Sequence, residues 1–199
     1  MSNSAQRYSK THRKGRQDKH QDREFRGIAQ EVENAKSSNE KYNLAWFKPS
    51  GRQQDIVDAI DQYDWVGVQA PSGTGKTTTV VWKALSLLGK GYRKIVFVKN
   101  PTEVGTDMLG YLTGDKNDKV QAHFEAMRGV FLDFMNKGKL ESDEKNGNIQ
   151  FKIPNFLLGA TISDAIVILD ECQTYSPNTL KLLMERVDGS CKLLILGDA

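Results

Sequence analysis

Apolar positions along the chain alternate between two periods, and their order predicts helices and strands in turn. From Phe47 onward, GRQQDIVDAIDQY spaces Ile56, Val57 and Ile60 on one helical face. WVGVQA is a short β-rich run that enters PSGTGKTTT, and TTVVWKALSLLG continues as a helix ending at glycines 89 and 91. KIVFVKN, closed by Pro101, has the branched and aromatic content of a strand covered on both faces. A glycine-containing loop, EVGTDMLGYLTGD, leads to a predicted helix from about Lys119 to Asn136, which spaces Val120, Phe124, Met127, Val130, Phe131 and Phe134. The polar KGKLESDEKNGN reads as an exposed loop or insertion. IQFKI then reads as a strand, AIVILDE as an apolar strand ending in two acids, NTLKLLMERV as a helix and CKLLILGD as a last strand. Buried strands alternating with helices predict an α/β domain, a parallel sheet with helices on both faces.

Charge marks where this pattern begins. Residues 1 to 26 carry eight Lys or Arg against three acids, which leaves 20 basic and 22 acidic residues in the remainder of a chain of net charge +3. The basic segment has almost no aliphatic residues, so it is expected to be disordered in isolation. It reads either as an arm for nucleic-acid phosphates or as a solubilising tail. The stretch 27–41, GIAQEVENAKSSNEK, fits a short helix or a linker. The expected organisation is a basic tail and linker over 1–45 and a globular domain over 46–199. No window has the ~18 consecutive apolar residues of a membrane span. The N-terminus has no apolar run of a secretory signal, so a cytoplasmic protein is expected, in the host cytoplasm if phage-encoded. Cys172 and Cys191 stand outside any CxxC and read as free thiols.

The chemistry is carried by APSGTGKT, residues 70 to 77, at a strand-to-helix junction. Its glycines let successive amides curl toward phosphate oxygens, and the next helix adds its own unpaired amides and dipole. The cradle comprises Ser72, Gly73, Thr74, Gly75, Lys76, Thr77 and Thr78. Lys76 is the residue for the β- and γ-phosphates of ATP, and Thr77 a ligand for Mg²⁺. Ala70 stands where the motif usually begins with glycine, a small residue at the strand exit. The partner motif is AIVILDE: Asp170 is the magnesium carboxylate and Glu171 the candidate general base. Two acids capping the next helix are the alternative. Separate strands for the two motifs, with KIVFVKN between them in sequence, suit a P-loop NTPase of the helicase-like or RecA-like type.

The chain resembles the PhoH-like ATPases, particularly the phage-encoded type, from about Phe47 to its last residue. The resemblance rests on QAPSGTGKTT, PTEVGTDMLGYLTGDKNDK, IPNFLLGATI, AIVILDECQ and LLMERVDGSCKLLILGD. It implies ATP and Mg²⁺ at Gly73, Gly75, Lys76 and Thr77, with Asp170 and Glu171 as the acidic pair. It implies that Gln53 reads adenine and that Gln173 couples the γ-phosphate to the next segment, although both could be surface amides. Arg186 is the candidate for an arginine acting on the γ-phosphate across a subunit interface, or a helix-surface arginine. Gly197 and Asp198 look like the start of a third helicase-like motif.

The chain departs from that pattern in three places. Lys99, Asn100 and Pro101 stand where many cellular members have Thr-Arg-Pro, so an arginine contact would fall to Lys99 or be lost. FLLGAT lacks two arginines often found in that loop. The resemblance also implies at least one more helix and strand after Ala199, a core truncated at its C-terminus. Two functions are consistent with the sequence: a homo-oligomeric ATPase that remodels single-stranded RNA or DNA, and a nucleotide-dependent switch or assembly protein that does not hydrolyse ATP.

Overall fold

A computed structural model describes residues 42–101, 116–157 and 159–199, which fall within a compact unit spanning Ser38–Ala199. The basic N-terminal segment, the 27–41 stretch and the loop between Gly105 and Asp115 lie outside the described residues. Chain order is α1 (Arg52–Gln62), β1 (Trp65–Gln69), α2 (Lys76–Leu87), β2 (Lys94–Lys99), α3 (Lys116–Leu132), α4 (Lys137–Lys145), β3 (Ile149–Lys152), β4 (Ala165–Asp170), α5 (Pro177–Met184) and β5 (Lys192–Gly197). Short 3₁₀ turns at Pro154–Phe156 and Cys172–Thr174 precede and follow β4.

The five strands form one parallel sheet in the order β1-β5-β4-β2-β3. Because every pair is parallel, all five carboxyl ends emerge on one edge, the place where open α/β sheets bind ligands. Register puts Lys99 beside Asp170 and Gln69 beside Gly197 at that edge. The most continuous apolar runs occupy the middle of the sheet: all six residues of β4 are buried, as are Ile95 to Val98 of β2. One face packs Ile95, Phe97, Ile166, Ile168 and Leu194 against Val80, Ala84 and Leu85 of α2 and Met127 and Phe131 of α3. The other packs Val96, Val98, Val167, Leu169 and Leu193 against Tyr175 and Leu183. Helices on both faces bear out the expected fold class.

Three boundaries differ from the sequence reading. Tyr42 and Leu44, read as linker, are buried in the core at 2% and 6% exposure. The third helix ends at Leu132, earlier than Asn136, and a tight turn from Phe134 N–H to the Phe131 carbonyl keeps Phe134 buried. KGKLESDEK, read as an exposed loop, is helix α4. Asn136 caps it by accepting from the Lys139 amide at 2.9 Å. Arg128 holds it from α3 by a two-pronged bridge to Glu144, with both N–O distances at 2.8 Å. Its only apolar residue, Leu140, is buried, so one hydrophobic anchor and polar tertiary contacts replace an amphipathic stripe. Among the described residues no helix is long and apolar enough to cross a membrane.

Candidate nucleotide site

Strand β1 delivers the chain to the carboxyl edge, and residues 70 to 75 turn it into α2. Gly73 and Gly75 have φ of 76° and 78°, left-handed backbone that a side chain disfavours. Gly75 is doubly constrained, since a Cβ there would lie 2.8 Å from Gln53 Nε2. It also forms the N-cap of α2 without a side-chain hydrogen bond, which leaves the first amides of a twelve-residue helix open to an anion. Thr74 Oγ1 donates to the Pro71 carbonyl at 2.8 Å, and the Ala70 amide to the Gly197 carbonyl at 3.3 Å, pinning the loop to itself and to β5. Ser72, Gly73 and Thr74 are exposed, Thr77 and Thr78 half-buried and Lys76 buried.

The acids converge on this loop from the neighbouring strand ends. Thr77 Oγ1 donates to Asp170 Oδ1 at 3.2 Å. Lys99, at the end of β2, donates to Asp170 Oδ2 at 3.3 Å and lies 3.8 Å from Glu171 Oε1. Glu171 has φ 56° and ψ 48°, a left-handed backbone on a non-glycine residue, which costs on the order of 1 kcal/mol. That strain turns the chain sharply after β4 and leaves the Glu171 carboxylate half-buried at the edge. Gln173 donates to Glu171 Oε2 at 2.6 Å and accepts from the Asp198 amide at 3.0 Å. Asp198 is ion-paired with Lys76.

Most predicted residues therefore meet at one place: the 72–78 loop, Gln53, Asp170, Glu171 and Gln173. Gln53 is oriented by Ser50, whose N–H and hydroxyl both donate to its Oε1, and it donates to the Thr74 carbonyl at 3.1 Å. Arg186 is not brought to the site. The NTLKLLMERV segment is helical only to Met184, and α5 runs back from the carboxyl edge, so Arg186 reaches the opposite edge of the sheet. There its carbonyl accepts from the Ile162 amide at 2.7 Å, just before β4 begins. Strand β4 separates it from Asp170 by roughly 20 Å at ~3.3 Å per residue, which excludes it from the site of its own chain. Its Nε is buried without a hydrogen-bond partner among the described residues.

Two residues were undervalued by sequence reading. Asp198 looked like the start of a motif, and Lys99 like a replaced arginine; the structure gives each an ion pair with a site residue. The signal available was positional: in a parallel sheet the strand ends share one edge, so Gln69, Lys99, Asp170 and Asp198, just after Gly197, lie along it, although strand order decides which of them meet. The strand lying between the glycine-loop strand and the acid-tipped strand is β5, although KIVFVKN separates them in sequence.

Cys172 and Cys191 are free thiols, as expected. Burial, with Glu171 and Asp170 nearby, raises the Cys172 pKa and makes it a poor nucleophile at neutral pH.

The donor set fits a magnesium nucleotide. A buried lysine, a threonine hydroxyl within hydrogen-bond reach of a buried carboxylate, and open helix-end amides match a polyphosphate with a hard, oxygen-seeking cation. A parallel sheet with this loop between β1 and α2 is the P-loop NTPase fold. Within that class the chain belongs to the PhoH-like family, whose family model, described as PhoH-like protein, matches residues 48–199. The chain is 32% identical over 146 residues to a PhoH-like protein of Bacillus subtilis (strain 168), covering 73% of this chain and 46% of that one. It is 28% identical over 148 residues to a PhoH-like protein of Synechocystis sp. (strain ATCC 27184 / PCC 6803 / Kazusa), covering 74% and 45%. Protein PhoH2 of Bacillus subtilis (strain 168) is 31% identical over 138 residues, covering 64% and 30%. The chain thus spans less than half the length of these curated relatives. The family is P-loop ATPase-like and nucleotide-binding.

Proposed function

We propose that this protein binds Mg-ATP at the carboxyl edge of its sheet and hydrolyses it. The observation that carries this reading is the meeting of Thr77 with Asp170, next to Glu171, and of Lys76 with Asp198, residues from separate elements, around an open helix N-terminus. Lys76 would neutralise the terminal phosphates, and the amides of 73 to 78 would hold their oxygens. Thr77 and Asp170 would hold magnesium, which when bound supplies positive charge to the phosphate oxygens. Glu171 would orient a water and accept its proton as that water attacks the γ-phosphorus and ADP leaves. Gln53 would meet the adenine.

Coupling to single-stranded RNA or DNA extends this reading. It is supported by the resemblance to helicase-like cores and by the eight basic residues within 1–26. Arg186 fits it only as a group offered to a neighbouring copy, because its own site lies at the far edge.

One observation favours a non-hydrolysing switch instead. Glu171 already receives a hydrogen bond from Gln173 on Oε2 at 2.6 Å and faces Lys99 on Oε1 at 3.8 Å, so both oxygens that would have to meet an attacking water are engaged.

Phosphate release from Mg-ATP separates the readings. The test compares wild type with Lys76→Ala and Glu171→Gln, each with and without single-stranded RNA or DNA. Turnover lost in both variants while Glu171→Gln keeps its ATP affinity supports hydrolysis, and a rise with one polynucleotide names the partner. Binding without turnover in the wild type supports the switch.

A further inference from the structure

We propose that Asp198 is a built-in counterion that occupies Lys76 until a polyphosphate displaces it, and that Gln173 carries this displacement to Glu171. The proposal rests on the nucleotide-site reading above and concerns what the site does before it is filled.

The ion pair is asymmetric. The Lys76 side chain is 7% exposed and the Asp198 side chain 32%. A buried ammonium without a partner is costly, so Lys76 needs an anion, and Asp198 supplies it. The cation is fixed by the loop and the first turn of α2, whereas the anion borders solvent and has room to leave. A phosphate oxygen at Lys76 would stand against the Asp198 carboxylate at close range. Like charges at a few ångströms repel strongly where water is partly excluded, so both cannot hold Lys76 together. Polyphosphate and Asp198 therefore compete for one ammonium.

Displacement of Asp198 is transmitted because its backbone is tied to the other half of the site. Its N–H donates to Gln173 Oε1 at 3.0 Å, and the same amide group donates through Nε2 to Glu171 Oε2 at 2.6 Å. A side-chain amide is rigid, so a shift at one end moves the other. Gly197 makes the junction tight: a Cβ there would lie 2.5 Å from Cys172 Sγ and 3.5 Å from Gln173 Oε1. The end of β5 and the turn after β4 thus touch without slack. With Asp198 on Lys76, Gln173 holds Glu171; with Asp198 displaced, that hold is altered and the carboxylate is set for water. Gln173 is in this account a positioning residue.

The test is calorimetric titration of the full chain with ATP in EDTA, where no hydrolysis occurs, and with inorganic tripolyphosphate. It compares wild type, Asp198→Asn, Asp198→Ser, Lys76→Ala and the Lys76→Ala/Asp198→Asn double variant, each shown to be folded by its thermal melt. Removing the competing carboxylate should tighten both ligands about fivefold, the equivalent of a partly exposed ion pair. The gain should vanish in the Lys76→Ala background. Unchanged or weaker affinity in both Asp198 variants overturns the counterion. Lys76→Ala binding ATP as tightly as wild type overturns the underlying nucleotide-site reading instead. For the relay, Gln173→Ala should change kcat with little change in KM; an effect confined to KM removes Gln173 from it.

Discussion

Two aspartates are buried almost equally, Asp143 at 1% and Asp170 at 3% exposure, yet they are held in opposite ways. Asp143 sits in a knot between Tyr42, α4 and the start of β3. It accepts from the Tyr42 hydroxyl at 3.0 Å, from Asn148 Nδ2 at 3.0 Å and from Lys139. Burial alone would raise its pKa, but the hydrogen bonds from Lys139, Asn148 and Tyr42 outweigh it and hold the carboxyl below its ordinary range. Asp170 has longer contacts, 3.2 Å from Thr77 and 3.3 Å from Lys99, at an edge where other ligands can enter. A buried carboxylate is thus no sign of function by itself. One whose partners saturate it at short range locks the fold; one with loose partners can exchange them for a cation.

The sharpest way to break this comparison is Asp143→Ala. It strands the donors of Tyr42, Asn148 and Lys139 in the interior and should cost about 3 kcal/mol of stability in a urea titration. ATP affinity should stay within about twofold, because the hydrogen-bond partners of Asp143 are Tyr42, Lys139 and Asn148 rather than site residues. A loss below ~1 kcal/mol would erase the distinction.

Asp170→Asn should do the reverse. Turnover of Mg-ATP should fall on the order of 100-fold, as when a group that stabilises developing charge is removed. The melting midpoint should barely move, and a large fall in stability would make Asp170 structural too.

Acid titration sharpens the contrast further. The folded pKa of Asp143 lies below its ordinary carboxylate value, so its contribution is present above the unfolded pKa and lost as pH falls through the folded one. The stability gap between wild type and Asp143→Asn should be constant from pH 7 to about 5 and narrow below about 4. A gap that does not change with pH would mean that the carboxylate charge contributes nothing.

The smallest expected effect is that of Tyr42→Phe, about 1 kcal/mol, because it removes one hydrogen bond and leaves two.

The candidate nucleotide strip was the most legible part of the molecule. APSGTGKT and AIVILDE place their chemistry within a few consecutive residues, and a run of buried apolar residues followed by charge can end only at an edge. The polar knot was illegible for the converse reason. KGKLESDEK has one apolar residue, Leu140, so no period marks it as a helix. Its helicity rests on the Asn136 cap, the Arg128 fork and Asp143, whose partners include Tyr42, 101 positions away. Arg186 lies away from the site of its own chain for a geometric reason: a helix that leaves the carboxyl edge ends near the opposite one.

By itself, the sequence determined the alternation of elements, the glycine loop, the two acids after β4 and the family, because each is written in neighbouring residues. The tertiary structure alone decided that β5 lies between β1 and β4 and sets Asp198 against Lys76. It also decided that Lys99 reaches both acids, and that Gln173 joins Glu171 to the backbone of Asp198. Strand order and register are properties of the assembled sheet, where hydrogen bonding and packing choose neighbours without regard to distance along the chain.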